Sequence, residues 1–184
     1  MTPASARTPP AAASGPTAMR QFVGFQLAGQ RYLFRIERIL EIVIPAAITR
    51  VPDVSAYVEG VTNLRGAIIP VVNLRRLFRL EPVATDADTR MIVVDVAGRT
   101  MGCLVDSVSQ IIRLDDAQVK PAPETVTAGG PRYLEGFARV GDELLVLLDT
   151  DQLLAPDLLE AVHRLGRPQA TPPADAPPPQ PEPR

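Results

Sequence analysis

Apolar and polar positions alternate with a period of two through much of this chain, and that alternation predicts strands. Val23, Phe25 and Leu27 alternate with Gly24 and Gln26 from Phe22 to Ala28, Ala28-Gly29-Gln30 marks a turn, and Arg31 to Ile36 returns as a second strand. RIERILEIVIP follows, with Ile36, Ile39, Leu40 and Val43 at helical spacing. Its β-branched content and Pro45 favour a strand that bends after a single turn. Pro52 and Asp53 predict a short helix, with Asp53 as its cap and Tyr57 and Val58 turned inward.

The next twenty residues, EGVTNLRGAIIPVVNLRRLF from Glu59 to Phe78, concentrate the local instructions. Gly60 and Gly66 predict a loop, Ala67 to Val72 a buried strand, and Asn73 the cap of a one-turn helix carrying Leu74, Leu77 and Phe78. Pro70 has no N–H to give a ladder, so the strand is expected to carry a bulge or lie at an edge there. Asn63 and Arg65 are the polar side chains long enough to project from this apolar surrounding, which makes them candidates for function.

Leu80 to Thr89 reads as a polar connector, after which strand patterns resume. Arg90 to Val96 and Arg99 to Leu104 form a hairpin around Ala97-Gly98, and Val105 to Leu114 continues as a bent strand. KPAPETVTAGGPRY reads as a long loop, and Tyr133 to Val140 with Glu143 to Leu148 as a hairpin across Gly141-Asp142. Pro156 to Leu165 places Leu158, Leu159, Val162 and Leu165 on one side of a short amphipathic helix.

The pattern is used twice. Val23, Phe25, Leu27 and Gly29 reappear as Ile92, Val94, Val96 and Gly98, and Ile36-Glu37 with Ile39 as Val105-Asp106 with Val108. Tyr57-Val58-Glu59-Gly60 reappears as Tyr133-Leu134-Glu135-Gly136, Ile68 to Val72 as Leu144 to Leu148, Asn73 as Asp149 and Leu77 as Leu153. Two copies are too few for a solenoid, so the repeat predicts a pair of similar small β subdomains that change over near 80–89.

Composition narrows the function. At 184 residues and 46% hydrophobic the chain can bury a core, filled by Val, Ile and Leu because Trp is absent. A net charge of −2 argues against a nucleic-acid partner. One cysteine excludes an internal disulfide framework and suits a reducing compartment. The start lacks the apolar run of a signal peptide, and no stretch reaches the about eighteen apolar residues of a membrane span, so a soluble, cytoplasmic protein with no membrane insertion is expected. Of 20 prolines, four precede residue 19 and eight follow residue 165. Residues 1–18 and 166–184 are therefore expected to be disordered tails flanking one domain over 19–165.

No converging set of reactive groups is legible. His163 is the only histidine and falls on the polar side of the last helix, Cys103 sits inside an alternating strand without a second ligand, and Asp86, Asp88, Asp115 and Asp116 occupy turns that such carboxylates cap. Phosphate-loop, dinucleotide, serine-hydrolase and zinc-protease motifs are absent, so no catalytic residue, cofactor or metal is expected. Glu41 and Arg65 are charges among apolar neighbours. Either Arg65 reaches solvent along its stem, or the two pair at the rim of a groove. Ile39, Ile42 and Ile44 are core residues unless they prove exposed.

GVTNLRGAIIPVVNLRRLF, GQRYLFRIERILEIV, VDSVSQIIRL followed by KPAPE, and YLEGFARVGDELLVLLD together resemble the CheW-like coupling proteins of bacterial chemosensory arrays, over Gln21 to Leu154. Asn73 stands where many relatives have Asp, and either can cap a helix. The resemblance implies a mainly all-β fold of two intertwined, five-stranded SH3-like β-barrels with short helices. It implies a non-catalytic adaptor joining methyl-accepting chemotaxis receptors to the regulatory domain of the histidine kinase CheA, and recruited to receptor arrays. Carried over by motif, Ile39, Glu41, Gly60, Asn63, Arg65 and Gly66 fall on the receptor-facing groove, and Lys120, Pro121 and Glu124 on a kinase-facing edge. Two alternatives remain: the same architecture serving twitching motility, development or second-messenger control, and, more remotely, a module that binds a small ligand.

Overall fold

A computed structural model describes residues 19–123 and 132–153. The residues expected to form tails, most of the loop after Pro123, Glu124, and the expected helix from Pro156 to Leu165 with His163 lie outside them. In chain order the strands are β1 (Met19–Leu27), β2 (Gln30–Arg35), β3 (Ile39–Val43), β4 (Val58–Leu64), β5 (Ala67–Asn73) and β6 (Arg90–Val96). β7 (Arg99–Val105), β8 (Ser107–Asp115), β9 (Val119–Pro121), β10 (Leu134–Val140) and β11 (Glu143–Leu148) complete them. Single helical turns α1 (Leu74–Leu77) and α2 (Thr150–Leu153) follow β5 and β11.

Several local expectations hold for the reasons given. One 3-10 turn, Ile36–Arg38, separates β2 from β3, so the ambiguous stretch is a turn followed by a strand. Asn73 caps α1, its side-chain oxygen accepting from the Arg76 backbone N–H at 3.3 Å. The carboxylates in turns also cap: Asp86 Oδ1 accepts from the backbone N–H of Asp88 and of Thr89, each at 2.9 Å. Three hairpins turn on X-Gly pairs with positive φ at both residues, Ala28-Gly29, Arg65-Gly66 and Ala97-Gly98. That geometry matches the right-handed twist of the flanking strands.

Two local readings are corrected. No helix forms at Pro52-Asp53, because Asp53 has φ 56° and a helix cap needs extended backbone. Most of the expected loop at Glu59 to Gly66 belongs to β4 and only Arg65-Gly66 turns, because Val58, Gly60 and Thr62 face inward in alternation and the glycine hides that rhythm. At Pro70 there is no bulge. β5 is an inner strand, yet its pairing with β7 spans only Val71 to Asn73, so Pro70 lies where one flank needs no N–H.

The strands make a six-stranded sheet, β8-β1-β2-β11-β10-β9, and a five-stranded sheet, β3-β6-β7-β5-β4. Each takes strands from both copies of the repeat, and the registers are reciprocal. Val71 lies opposite Gly102, and the repeat mates of that pair, Leu147 and Leu33, also lie opposite one another. Ile39 lies opposite Val94, and Val108 opposite Phe25. The β4–β5 pairing shifts register between Val58 and Gly60, and the β10–β11 pairing shifts between Leu134 and Gly136, the matching residues.

The expected pair of five-stranded SH3-like barrels is not what forms: neither sheet closes. In the five-stranded sheet the edge strands β3 and β4 do not pair, and their connection contributes one bridge, Thr49 with Val61. Pro45, two residues past the end of β3, has no N–H to extend a ladder. In the six-stranded sheet the edge strands β8 and β9 do not pair with each other, and β9 is three residues long and ends on Pro121.

The main core lies where both sheets meet and draws Phe25, Leu27 and Phe34 from one and Val72, Ile92, Val94 and Cys103 from the other. A smaller core, with Phe22, Leu33 and Leu145, belongs to the six-stranded sheet, and another, with Val71, Met91 and Val93, to the five-stranded one. At the junction Phe78 stacks on Tyr133 with ring centroids 5.1 Å apart and meets Tyr32 at a tilt, 5.4 Å away. Two sheets sharing one buried seam hold each other in a fixed relation, and the surfaces at their edges are thereby positioned.

Candidate docking site

The ion pair left open by sequence forms. Glu41 projects from β3 and its Oε2 accepts from Arg65 Nη2 at 2.7 Å, across the five-stranded sheet from one edge to the turn at the other. Strands four places apart in a flat sheet would be roughly 19 Å from one another. The pair therefore requires the sheet to coil until its edges approach, without a ladder that closes them. Arg65 also reaches solvent along its stem, since 80% of its side chain is exposed.

Around that pair the turn is rigidly built. Asn63 Oδ1 accepts from the Gly66 backbone N–H at 2.8 Å, and Arg65 holds φ 53° beside Gly66 at φ 90°. Thr62, buried on the inner face of β4, donates from Oγ1 to the Ala47 carbonyl at 3.0 Å. Thr49 and Val61 exchange two backbone hydrogen bonds of 2.8 and 2.9 Å. The irregular segment after β3 is thus stitched to β4, and the guanidinium stands on a fixed base.

Of the six residues assigned to a receptor-facing groove, Glu41, Asn63, Arg65 and Gly66 gather at this turn. Gly60 serves beneath it: a Cβ there would lie 2.1 Å from the Thr49 carbonyl oxygen, so only glycine lets the two segments meet. Ile39 packs against the main core. Ile42 and Ile44 prove exposed, Ile44 to 74%, and with Leu40 they make alternate exposed apolar positions along the edge strand β3 and the residue after it. Leu40 was missed because ILEIVI is apolar on both faces, and alternation alone does not say which face is covered.

Lys120 and Pro121 are exposed on β9, the edge of the six-stranded sheet, whereas Arg65 belongs to the five-stranded one. Beside them lies an open groove of about 550 Å³ lined by Gln118, Lys120, Phe137, Arg139 and Leu144. Two exposed apolar residues went unnoticed in the sequence, Ile68 at 73% and Leu144 at 56%. They are repeat mates, each one residue into the strand after a tight turn, and that shared position was the available signal.

Reactive chemistry is not gathered at either place. Among the described residues no three His, Cys, Asp or Glu side chains are placed to hold a metal. Burial pushes the Cys103 thiol up to about 12. A thiol reagent should therefore label Cys103 no faster than the chain unfolds; rapid labelling of the native protein would contradict its burial. The folded thiol keeps its proton beyond the ordinary value of 9.0, so its contribution to stability is complete below pH 9.0 and declines as pH rises toward about 12. Unfolding measured across that window should depend less on pH in Cys103→Ala.

No helix of the described residues is long and apolar enough to cross a membrane. The family model for the CheW-like domain matches residues 21–157. The chain is 32% identical over 154 residues to the chemotaxis protein CheW of Klebsiella aerogenes, covering 84% of this chain and 93% of that one. It is 35% identical over 137 residues to the chemotaxis protein CheW of Helicobacter pylori, covering 74% and 82%. The crystal structure of the scaffolding protein TtCheW from Thermoanaerobacter tengcongensis superposes with a TM-score of 0.71 at 30% identity, over 77% of this chain and 96% of that one. A repeated β unit with exchanged strands, the glycine-built turn bearing Arg65 and a match over most of the chain lead to one assignment: the chain belongs to the CheW-like domain family.

Proposed function

We propose that the groove at Glu41 and Arg65 receives the cytoplasmic tip of a methyl-accepting chemotaxis receptor, and that the edge bearing Lys120 and Pro121 receives the regulatory domain of CheA. The chain is a non-catalytic adaptor of the CheW family, linking chemoreceptors to the CheA kinase in a chemosensory array. The observation that carries the assignment of the groove is the charge pair on a rigid turn beside the exposed row Leu40, Ile42 and Ile44. A helical tip lays an apolar face into such a groove, and the guanidinium sets its register. Affinity comes from a few apolar anchors, while exposed charges select orientation more than they add strength.

On the other edge, Phe137 and Leu144 supply apolar contact, and Lys120 and Arg139 supply positive charge at the rim. Glu124, assigned by motif to the same edge, lies outside the described residues. The two surfaces belong to different sheets, which allows both partners to be held at once at an array on the cytoplasmic side of the membrane.

Separate binding measurements test this, one with a receptor tip fragment and one with the isolated regulatory domain of CheA. Arg65→Ala should lose the receptor fragment and keep the kinase domain, and a Lys120→Glu, Leu144→Ser double variant should do the reverse. Loss of both partners from either variant would mean a single shared site and would overturn the two-surface reading.

A further inference from the structure

The two copies of the repeat differ at one place in a way the docking surfaces do not use. At one of two equivalent junctions between the copies, Arg75 of the first, in α1, fastens its guanidinium to the carboxylate of Asp106 of the second through Nε and Nη2. The repeat mates of these residues are Asp151 in α2 and Glu37 in the turn before β3. The junction of Asp151 from the second copy with Glu37 from the first thus keeps the carboxylate and replaces the guanidinium with a second carboxylate.

A cavity of about 470 Å³ occupies that position, within the size range of small-ligand sites. Its lining carries Arg35 and Arg38 against Glu37, Glu135, Asp149 and Asp151. Glu135 is committed to Arg35, and one oxygen of Asp151 to Arg38. The other oxygen, Asp151 Oδ1, is buried and has no hydrogen-bond partner among the described residues, and the same is true of Thr150 Oγ1. Thr150 is 3% exposed, whereas its repeat mate Leu74 is an ordinary buried apolar residue. A buried hydroxyl and a buried carboxylate oxygen without partners are costly unless a donor reaches them. The acidic groups do not converge as metal ligands do.

We propose that this cavity receives a guanidinium group from outside the chain, seated between Glu37 and Asp151 with Thr150 Oγ1 accepting one of its N–H donors. It replaces the guanidinium that the first copy supplies from Arg75. The planar, multiply donating head matches an exposed carboxylate and a half-buried one with one buried oxygen better than a metal ion or a neutral ligand would. Two sources carry this chemistry, a free guanidine compound and an arginine side chain of another protein. The proposal does not rest on the receptor or kinase assignments, because none of its residues belongs to either surface.

The test is a titration of the full chain, followed through its backbone amide resonances, with methylguanidinium and with its neutral isostere methylurea. Methylguanidinium should give saturable shifts centred on Glu37, Thr150 and Asp151, and methylurea none. Thr150→Val should weaken binding about tenfold, the scale of one hydrogen bond to a charged group. Glu37→Gln, at an exposed position that does not threaten the fold, should weaken it as well. Agmatine and the peptide Gly-Gly-Arg-Gly-Gly then distinguish the sources, the tighter binder naming the free compound or the protein side chain. Absence of saturable shifts with methylguanidinium, equal shifts with methylurea, or unaltered binding in both variants would overturn the proposal.

Discussion

Gly60→Ala is expected to destabilise the protein by about 3 kcal/mol or more, through two costs that add. The first is conformational: Gly60 holds φ 147°, a region that residues with a side chain enter only at about 1–3 kcal/mol. The second is steric. The new Cβ would lie 2.1 Å from the Thr49 carbonyl oxygen and 2.8 Å from its carbon, both backbone atoms that cannot turn aside. Relief requires Thr49 to move away, which opens the two hydrogen bonds it shares with Val61. Each contributes about 0.5–1.5 kcal/mol. In a chain of this size a loss of that order lowers the melting temperature by roughly 10 °C. Gly66→Ala is the matched comparison, because Gly66 also has positive φ but nothing lies within 4 Å of an added Cβ. It should cost only about 1 kcal/mol. Thermal melts of the two variants measure the difference, and equal losses would show that the contact with Thr49 is not what fixes Gly60.

Arg65→Ala is expected to abolish receptor-dependent activation of the kinase while leaving the melt almost unchanged. An ion pair with one partner exposed to this degree contributes about 0–1 kcal/mol, so its removal cannot unfold the sheet. The turn survives as well, since Asn63 and Gly66 hold it through a bond that does not involve the Arg65 side chain. Exchanging the charges as Glu41→Arg with Arg65→Glu sharpens the experiment. The exchanged pair can re-form within the chain but presents the wrong sign to a partner at the turn, so coupling should stay lost. Normal receptor-dependent activation by Arg65→Ala in a reconstituted assay would remove Arg65 from the docking site, and recovery in the exchanged variant would reduce its role to holding the groove.

The two variants separate a residue that builds the site from one that presents it, and the sequence placed both in one short stretch without telling them apart. Glycine at position 60 looked like a loop signal. It is a strand residue at a register shift, pressed against a segment eleven positions earlier, and no local pattern announces such an approach. Arg65 is exposed, as its stem allows, because a long cation in a two-residue glycine turn has few ways to hide. Asp53 shows the opposite failure: its local chemistry favours a helix cap, and the chain instead holds it in left-handed backbone within a turn.

What the sequence determined by itself is everything written in short-range periodicity and in likeness between the halves: the strand pairs at their glycine turns, the capped turn after Val72, the duplication, and the family. Alternation and capping act over a few residues, so they can be read without knowing what lies opposite. The tertiary structure alone decided which strands from different copies sit side by side, that both sheets stay open, and which of Leu40, Ile42, Ile44, Ile68 and Leu144 remain uncovered. Those outcomes depend on pairings between residues far apart in the chain, on a proline that withholds a donor just where a ladder would have closed, and on burial, which is a property of neighbours rather than of the residue.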